Sequence, residues 1–259
     1  MDLASFGIQK LITFVLVLVR SAGIFTLTPI FGANQVPMYA RLVIALALAL
    51  VFLPIVAPPN DFAMEALPVA LMVAREACVG LVIGFVCTMV FTAIEIAGQL
   101  IDVHAGFSFA TMLDPVNGAN SAVAARFHRL VAGLLFFATN AHHVMIRGLA
   151  DSFRVAPVGQ LTLNASVAGG AVDLFAALFV VAIRIAVPVV AAVFLADVAL
   201  AITARVVPQM NVLFVGFPLK LGVGLVGMIV ALPVLAAMSQ NLFGDIYNQT
   251  LALVSLVAR

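Results

Sequence analysis

The sequence predicts an all-α, polytopic membrane protein of about six long, kinked apolar helices. Three observations lead there. Of the 259 residues, 65% are hydrophobic and only 9% are charged, against about 25% charged in an ordinary soluble domain. The apolar runs approach the roughly 20 residues that cross a bilayer core. Only a helix satisfies its own backbone hydrogen bonds in lipid without closing into a barrel.

The elements follow from the apolar runs and their breakers. The first segment covers about 4–28 and ends at Pro29. Arg20 follows its apolar run and Asp2 spoils a basic leader, so an uncleaved first helix is expected. The second covers 38–56 and stops at Pro58-Pro59; the third is long, 65–102, with its apolar centre at 77–94. The fourth covers 121–153, and the fifth 172–207, with a bend expected at Pro188. The sixth starts near Val212, carries Pro218 and Pro233, and leads into a weakly amphipathic tail at 239–259. The most polar connector, 154–170, carries Gln160, Thr162, Asn164 and Ser166. It divides an N-terminal helical part, 1–153, from a C-terminal hairpin and tail, 171–259.

Charged residues interrupt or border these runs: Lys10, Arg20, Glu95, Arg184, Asp197 and Lys220. Each would cost about 2.5–3.5 kcal/mol at a lipid-facing helix centre. They are therefore expected against protein, water or the interface; snorkelling suits Lys10 and Arg41. Arg184 and Asp197 lie in one helix, roughly 20 Å apart along its axis, so each needs a partner on another helix or subunit. Gly216 and Gly224 flank Lys220 one turn to either side, and Gly80, Gly84, Thr88 and Thr92 form a second row of small residues. Both rows suit close helix packing, within one chain or between chains.

The net charge of +1 gives no reason to expect a nucleic-acid partner. Gly222, Gly224 and Gly227 match a nucleotide-binding glycine pattern, but follow no strand. His142 and His143 point about 100° apart on a helix, poor spacing for a metal. Cys78 and Cys87 are too far apart on one helix to pair. No nucleophile, metal or phosphate motif appears, so no catalytic residue, metal or cofactor is assigned, and Asp102, Asp114, Asp151 and Asp173 read as caps or solvated ends.

One stretch resists a bland account. GFSFATMLDPVNG, 106–118, carries Gly106, Phe107, Phe109, Met112, Leu113, Asp114 and Pro115 between two apolar segments. It is either a connector with aromatics at the membrane interface or a loop folded into a passage. Large apolar side chains close water-filled passages by excluding water, and irregular backbone at membrane depth survives only inside protein or beside such a cavity.

That loop, 106–115, resembles the corresponding loop of the flagellar biosynthetic FliR family. Asn140-Ala-His142, Ser152-Phe153 and Pro157 do likewise, as do Arg20, Pro29, Val36-Pro37 and Arg41. The strongest likeness is RVVPQMNVLFVGFPLK, Arg205 to Lys220, which is similar to the family's signature. A departure is Ala141-His142-His143, where many members place a glycine before a single histidine. The resemblance implies bent helical hairpins, set partly above the bilayer plane, in the export gate of a type III secretion apparatus. The implied setting is the bacterial inner membrane at the flagellar basal body, alongside FliP- and FliQ-like proteins and other export-apparatus membrane proteins. Unfolded protein subunits would be the passengers. The loop at 103–120 would be a plug. The segment with Pro208, Gln209, Asn211, Gly216, Pro218, Lys220 and Gly224 would contact other subunits. A virulence-type injectisome component is the near alternative. A proton-coupled secondary transporter using Glu95, Arg184 and Asp197 is the remoter one.

Overall fold

The computed structural model describes residues 3–32, 36–59, 66–108, 122–159 and 166–257. Among these every regular element is a helix: α1 (Leu3–Leu27), α2 (Pro29–Gly32), α3 (Met38–Phe52), α4 (Ala66–Ala105), α5 (Val123–Ala138), α6 (Ala141–Val155), α7 (Ser166–Val206) and α8 (Val212–Val257). The all-α polytopic expectation holds. Four helices are long and apolar enough to cross a membrane, or five spans if α5 and α6 count as one broken span. The expected six are therefore four or five, for local reasons. Helix α3 has 15 residues, about 22 Å of helix against a core near 30 Å. The fourth segment breaks at Thr139 and Asn140, where Asn140 takes a left-handed φ of 57°, a conformation its short polar side chain tolerates. The tail is no separate element, because α8 runs without interruption to Val257.

Pro188, Pro218 and Pro233 lie inside continuous helices. With 40, 41 and 46 residues, α4, α7 and α8 measure roughly 60–70 Å, about twice a hydrocarbon core.

The chain divides into two compact units. The first comprises Met1–Val90, Asn140–Phe175 and Leu242–Arg259. Here α1 packs on α3, and the row of small residues foreseen on α4 meets α1. A Cβ on Gly80 would strike the Arg20 carbonyl oxygen, and one on Gly84 would come within 2.9 Å of the Ile24 carbonyl oxygen. The Thr88 hydroxyl donates to Leu27 O at 2.8 Å. Backbones this close need small side chains on both faces.

The core of this unit holds a charge. Arg20 and Glu76 are both 1% exposed, and Arg20 Nε lies 2.5 Å from Glu76 Oε2. The remaining guanidinium nitrogens donate to Ser152 Oγ at 3.2 Å and Ala156 O at 3.0 Å, and the guanidinium stands 4.4 Å from the Phe153 ring centre. Glu76 Oε1 accepts from Gly159 N–H at 2.9 Å. A buried ion pair survives when hydrogen bonds satisfy both partners, and here the network ties α1, α4 and α6 together. In the same unit Tyr247 Oη donates to Asp151 Oδ2 at 2.9 Å, bringing the end of α8 to α6.

The second unit comprises Phe91–Thr139 and Ala176–Asn241. It is built of two antiparallel pairs. The end of α4 runs against α5: Phe91 meets Phe136, with ring centres 5.5 Å apart, Glu95 pairs with Arg129, and Gly98 lies beneath Ala125. Helix α7 runs against α8 in the same sense, with Val189 at Gly227, Asp197 at Lys220 and Leu200 at Gly216.

Candidate functional site

The candidate site is the base of the 106–118 loop, in the second unit. Phe109, Met112, Leu113, Asp114 and Pro115 lie outside the described residues, as do Gln160, Thr162 and Asn164 of the polar connector. The loop's two roots are described, and they are joined.

Asp102, in the last turn of α4, is 1% exposed. Its carboxylate accepts from Ala124 N–H at 2.7 Å and Ala125 N–H at 2.9 Å. These belong to the free N–H groups that open α5. Position 122, the usual capping position, is an alanine with no side-chain cap, so the carboxylate of α4 does that work. A negative charge there also meets the positive end of the helix dipole. Gly98 allows the approach, since a Cβ on it would fall 2.5 Å from Ala125 Cα. The expectation that Asp102 caps a helix is met, though across 22 residues rather than locally.

Beyond Asp102 the chain turns at once. Gly106 has φ +84°, a left-handed value glycine reaches without strain. Ser108 N–H donates to Asp102 O at 3.3 Å. Phe107 packs on α8: its ring comes within 3.5 Å of a Cβ placed on Gly224, and Phe217 comes within 3.4 Å of one placed on Gly106. The loop root and the 208–224 segment are separate features in the sequence, and here they touch.

Beside this root lies a cavity of about 440 Å³ whose lining includes His104, Gly106, Asp197, Gly216, Phe217 and Lys220. Lys220 Nζ stands 2.6 Å from Asp197 Oδ1, with both side chains partly exposed. Asp197 thus has the partner on another helix that its position demanded, and Glu95 has Arg129. Arg184 differs. It is exposed on the chain alone, and no hydrogen bond or ion pair reaches it among the described residues. Pro208, Gln209 and Asn211 are exposed in the turn between α7 and α8, where Asn211 O accepts from Phe214 N–H at 3.1 Å. Pro218 is exposed on α8, whereas Gly216 and Gly224 are buried against α7 and the end of α4.

Sequence reasoning missed two features. Glu76, the partner of Arg20, escaped notice at the edge of the third apolar run. A lone cation in one run and a lone acid in another were the available signal. The use of Asp102 across the loop left no signal, because capping is ordinarily sought next to the helix it serves.

The arrangement holds a loop by both ends, rests its first aromatic on a helix, and sets an ion pair at a cavity wall. These contacts fix position.

Residues 11–246 match the family of bacterial export proteins, family 1. The flagellar biosynthetic protein FliR of Bacillus subtilis (strain 168) is 35% identical over 94% of this chain and 95% of its own length. FliR of Aquifex aeolicus (strain VF5) is 30% identical over 93% of each chain. FliR of Escherichia coli (strain K12) is 29% identical over 92% of this chain and 91% of its own. With its family match spanning nearly the whole chain, this helical membrane protein belongs to the bacterial export proteins, family 1.

Proposed function

We propose that this chain is a non-enzymatic subunit of the flagellar type III protein export gate, and that its 103–120 loop plugs the channel through which unfolded flagellar subunits leave the cytoplasm. The family match across residues 11–246 carries the reading. The joined loop roots support it, since a plug must return to one place after each opening. In this reading the complex sits in the bacterial inner membrane at the flagellar basal body. FliP- and FliQ-like proteins surround the chain, and the segment from Pro208 to Lys220, with Gly224, contributes to subunit contacts. Residues 1–153 supply the helices that present the plug, and 171–259 supply a C-terminal hairpin whose second helix continues through the tail. The pairing of Glu95 and Asp197 with cations suits fixed packing better than a proton relay.

The test is gentle extraction from native membranes. The chain is expected to co-purify with two other small hydrophobic proteins. Recovery as a stable, solitary monomer overturns the reading.

A further inference from the structure

On the export-gate reading, on which this inference rests, the chain lives among other membrane subunits, and the outer face of the α7–α8 pair is free to meet one of them. Residues 174–196 of α7 carry one charge, Arg184. Any 20-residue stretch of α7 that holds it near the centre would place it deep in the hydrocarbon core. It is exposed and unpaired among the described residues. Val180, Ile183 and Val187 around it are exposed too, at 50–52%. A guanidinium left unpaired in acyl chains at that depth is strongly disfavoured.

A groove begins one turn away. Pro188, four residues on and also exposed, shares the face of Arg184. It lines an apolar groove of about 610 Å³ with Ala192 on α7 and Pro218, Gly222, Val226 and Val230 on α8. The antiparallel register, Val189 at Gly227 and Leu200 at Gly216, sets Arg184 level with Leu232, at the Val234 end of the groove. Small residues along its floor let a helix settle close.

We propose that this groove receives a membrane-embedded helix of a different subunit, and that an aspartate or glutamate on that helix pairs with Arg184. Charge complementarity selects the occupant. Lipid tails fill the groove but leave the cation unpaired. A second copy of this chain is poorly supplied, because the carboxylates inside its apolar runs are engaged: Glu76 by Arg20, Glu95 by Arg129, Asp102 by two N–H groups and Asp197 by Lys220. A helix that brings its own acid satisfies both the groove and the charge.

The experiment uses the assembled complex in its own membrane. Arg184→Glu is expected to lower recovery of the complex, relative to chain present in the membrane, at least about tenfold, and Arg184→Lys to keep it within about threefold. If the Glu variant assembles as the parent does, the proposal falls. If the Glu chain does not accumulate, a photoreactive residue at Val226, in a chain that keeps Arg184, decides. A cross-link to an apolar segment of another subunit bearing an acid within about two turns of the attachment point supports the pairing. A cross-link to lipid alone, to a second copy, or to a segment without an acid overturns it. The parent chain separates the two failures: if it too is recovered alone, the export-gate reading fails, whereas an intact parent complex with an indifferent Arg184 sinks only the groove.

Discussion

Asp102 holds the first turn of α5 from α4, its carboxylate 2.7 Å from the Ala124 nitrogen. One side chain thereby ties the end of α4 to the start of α5. The relationship is directional: removing the carboxylate frees two N–H groups in a buried setting, where no water can take over.

Asp102→Ala is therefore expected to cost about 1–3 kcal/mol. Asp102→Asn keeps one acceptor and should lose less. The midpoint of thermal unfolding of the purified complex, with parent and both variants side by side, checks the order. An alanine variant as stable as the parent would deny Asp102 its capping role.

The Arg20–Glu76 pair gives a second prediction. Glu76→Leu strands a guanidinium that is 1% exposed and should destabilise by about 3–5 kcal/mol. The double variant Arg20→Met with Glu76→Leu removes both charges and should recover much of that loss. A double-mutant cycle on chain level in the membrane reads the coupling. Additive losses would mean that the two residues act independently.

Glycine positions separate close packing from free space. Gly80→Val drives a branched side chain into the Arg20 carbonyl oxygen, a backbone atom that cannot turn aside, so the chain should fail to accumulate. Gly133, inside α5, has nothing within 4 Å of an added Cβ. Gly133→Ala should be neutral, or stabilising by up to about 1 kcal/mol through helix propensity. Equal behaviour of the two variants on a membrane immunoblot would contradict the packing of α1 on α4.

Asp197 and Lys220 predict a rescue. Each single change, Asp197→Lys or Lys220→Asp, sets like charges beside the loop root and should reduce swimming. The double swap restores attraction and should restore swimming in part. Singles without effect, or a double as poor as its worse single, would exclude a functional ion pair.

Much of this is legible in the residues alone. The spacing of Gly80, Gly84 and Thr88 declares a helix face made for close approach, because one turn of helix separates each from the next. Asp197 and Lys220 declare themselves as charges in apolar surroundings, each needing an opposite. Two kinds of feature stay hidden. The break at Asn140 depends on one residue's φ, and the polar run of Thr139, Asn140, His142 and His143 reads equally well as one polar turn of a continuous helix. The pairing of Asp102 with Ala124 depends on how α4 and α5 fold back on one another, which local spacing does not encode. Arg184 lies between: the sequence demands a partner for it, and this chain does not provide one among the described residues.

Closure of a protein-conducting channel by the 103–120 loop is the part of the proposed function most open to direct test. The direct measurement is the ion conductance of the assembled complex in a planar bilayer or liposome, with and without residues 107–115. A tight parent complex and a marked rise in resting leak after the deletion are expected. Unchanged conductance in a deleted complex that still assembles would make the loop a connector.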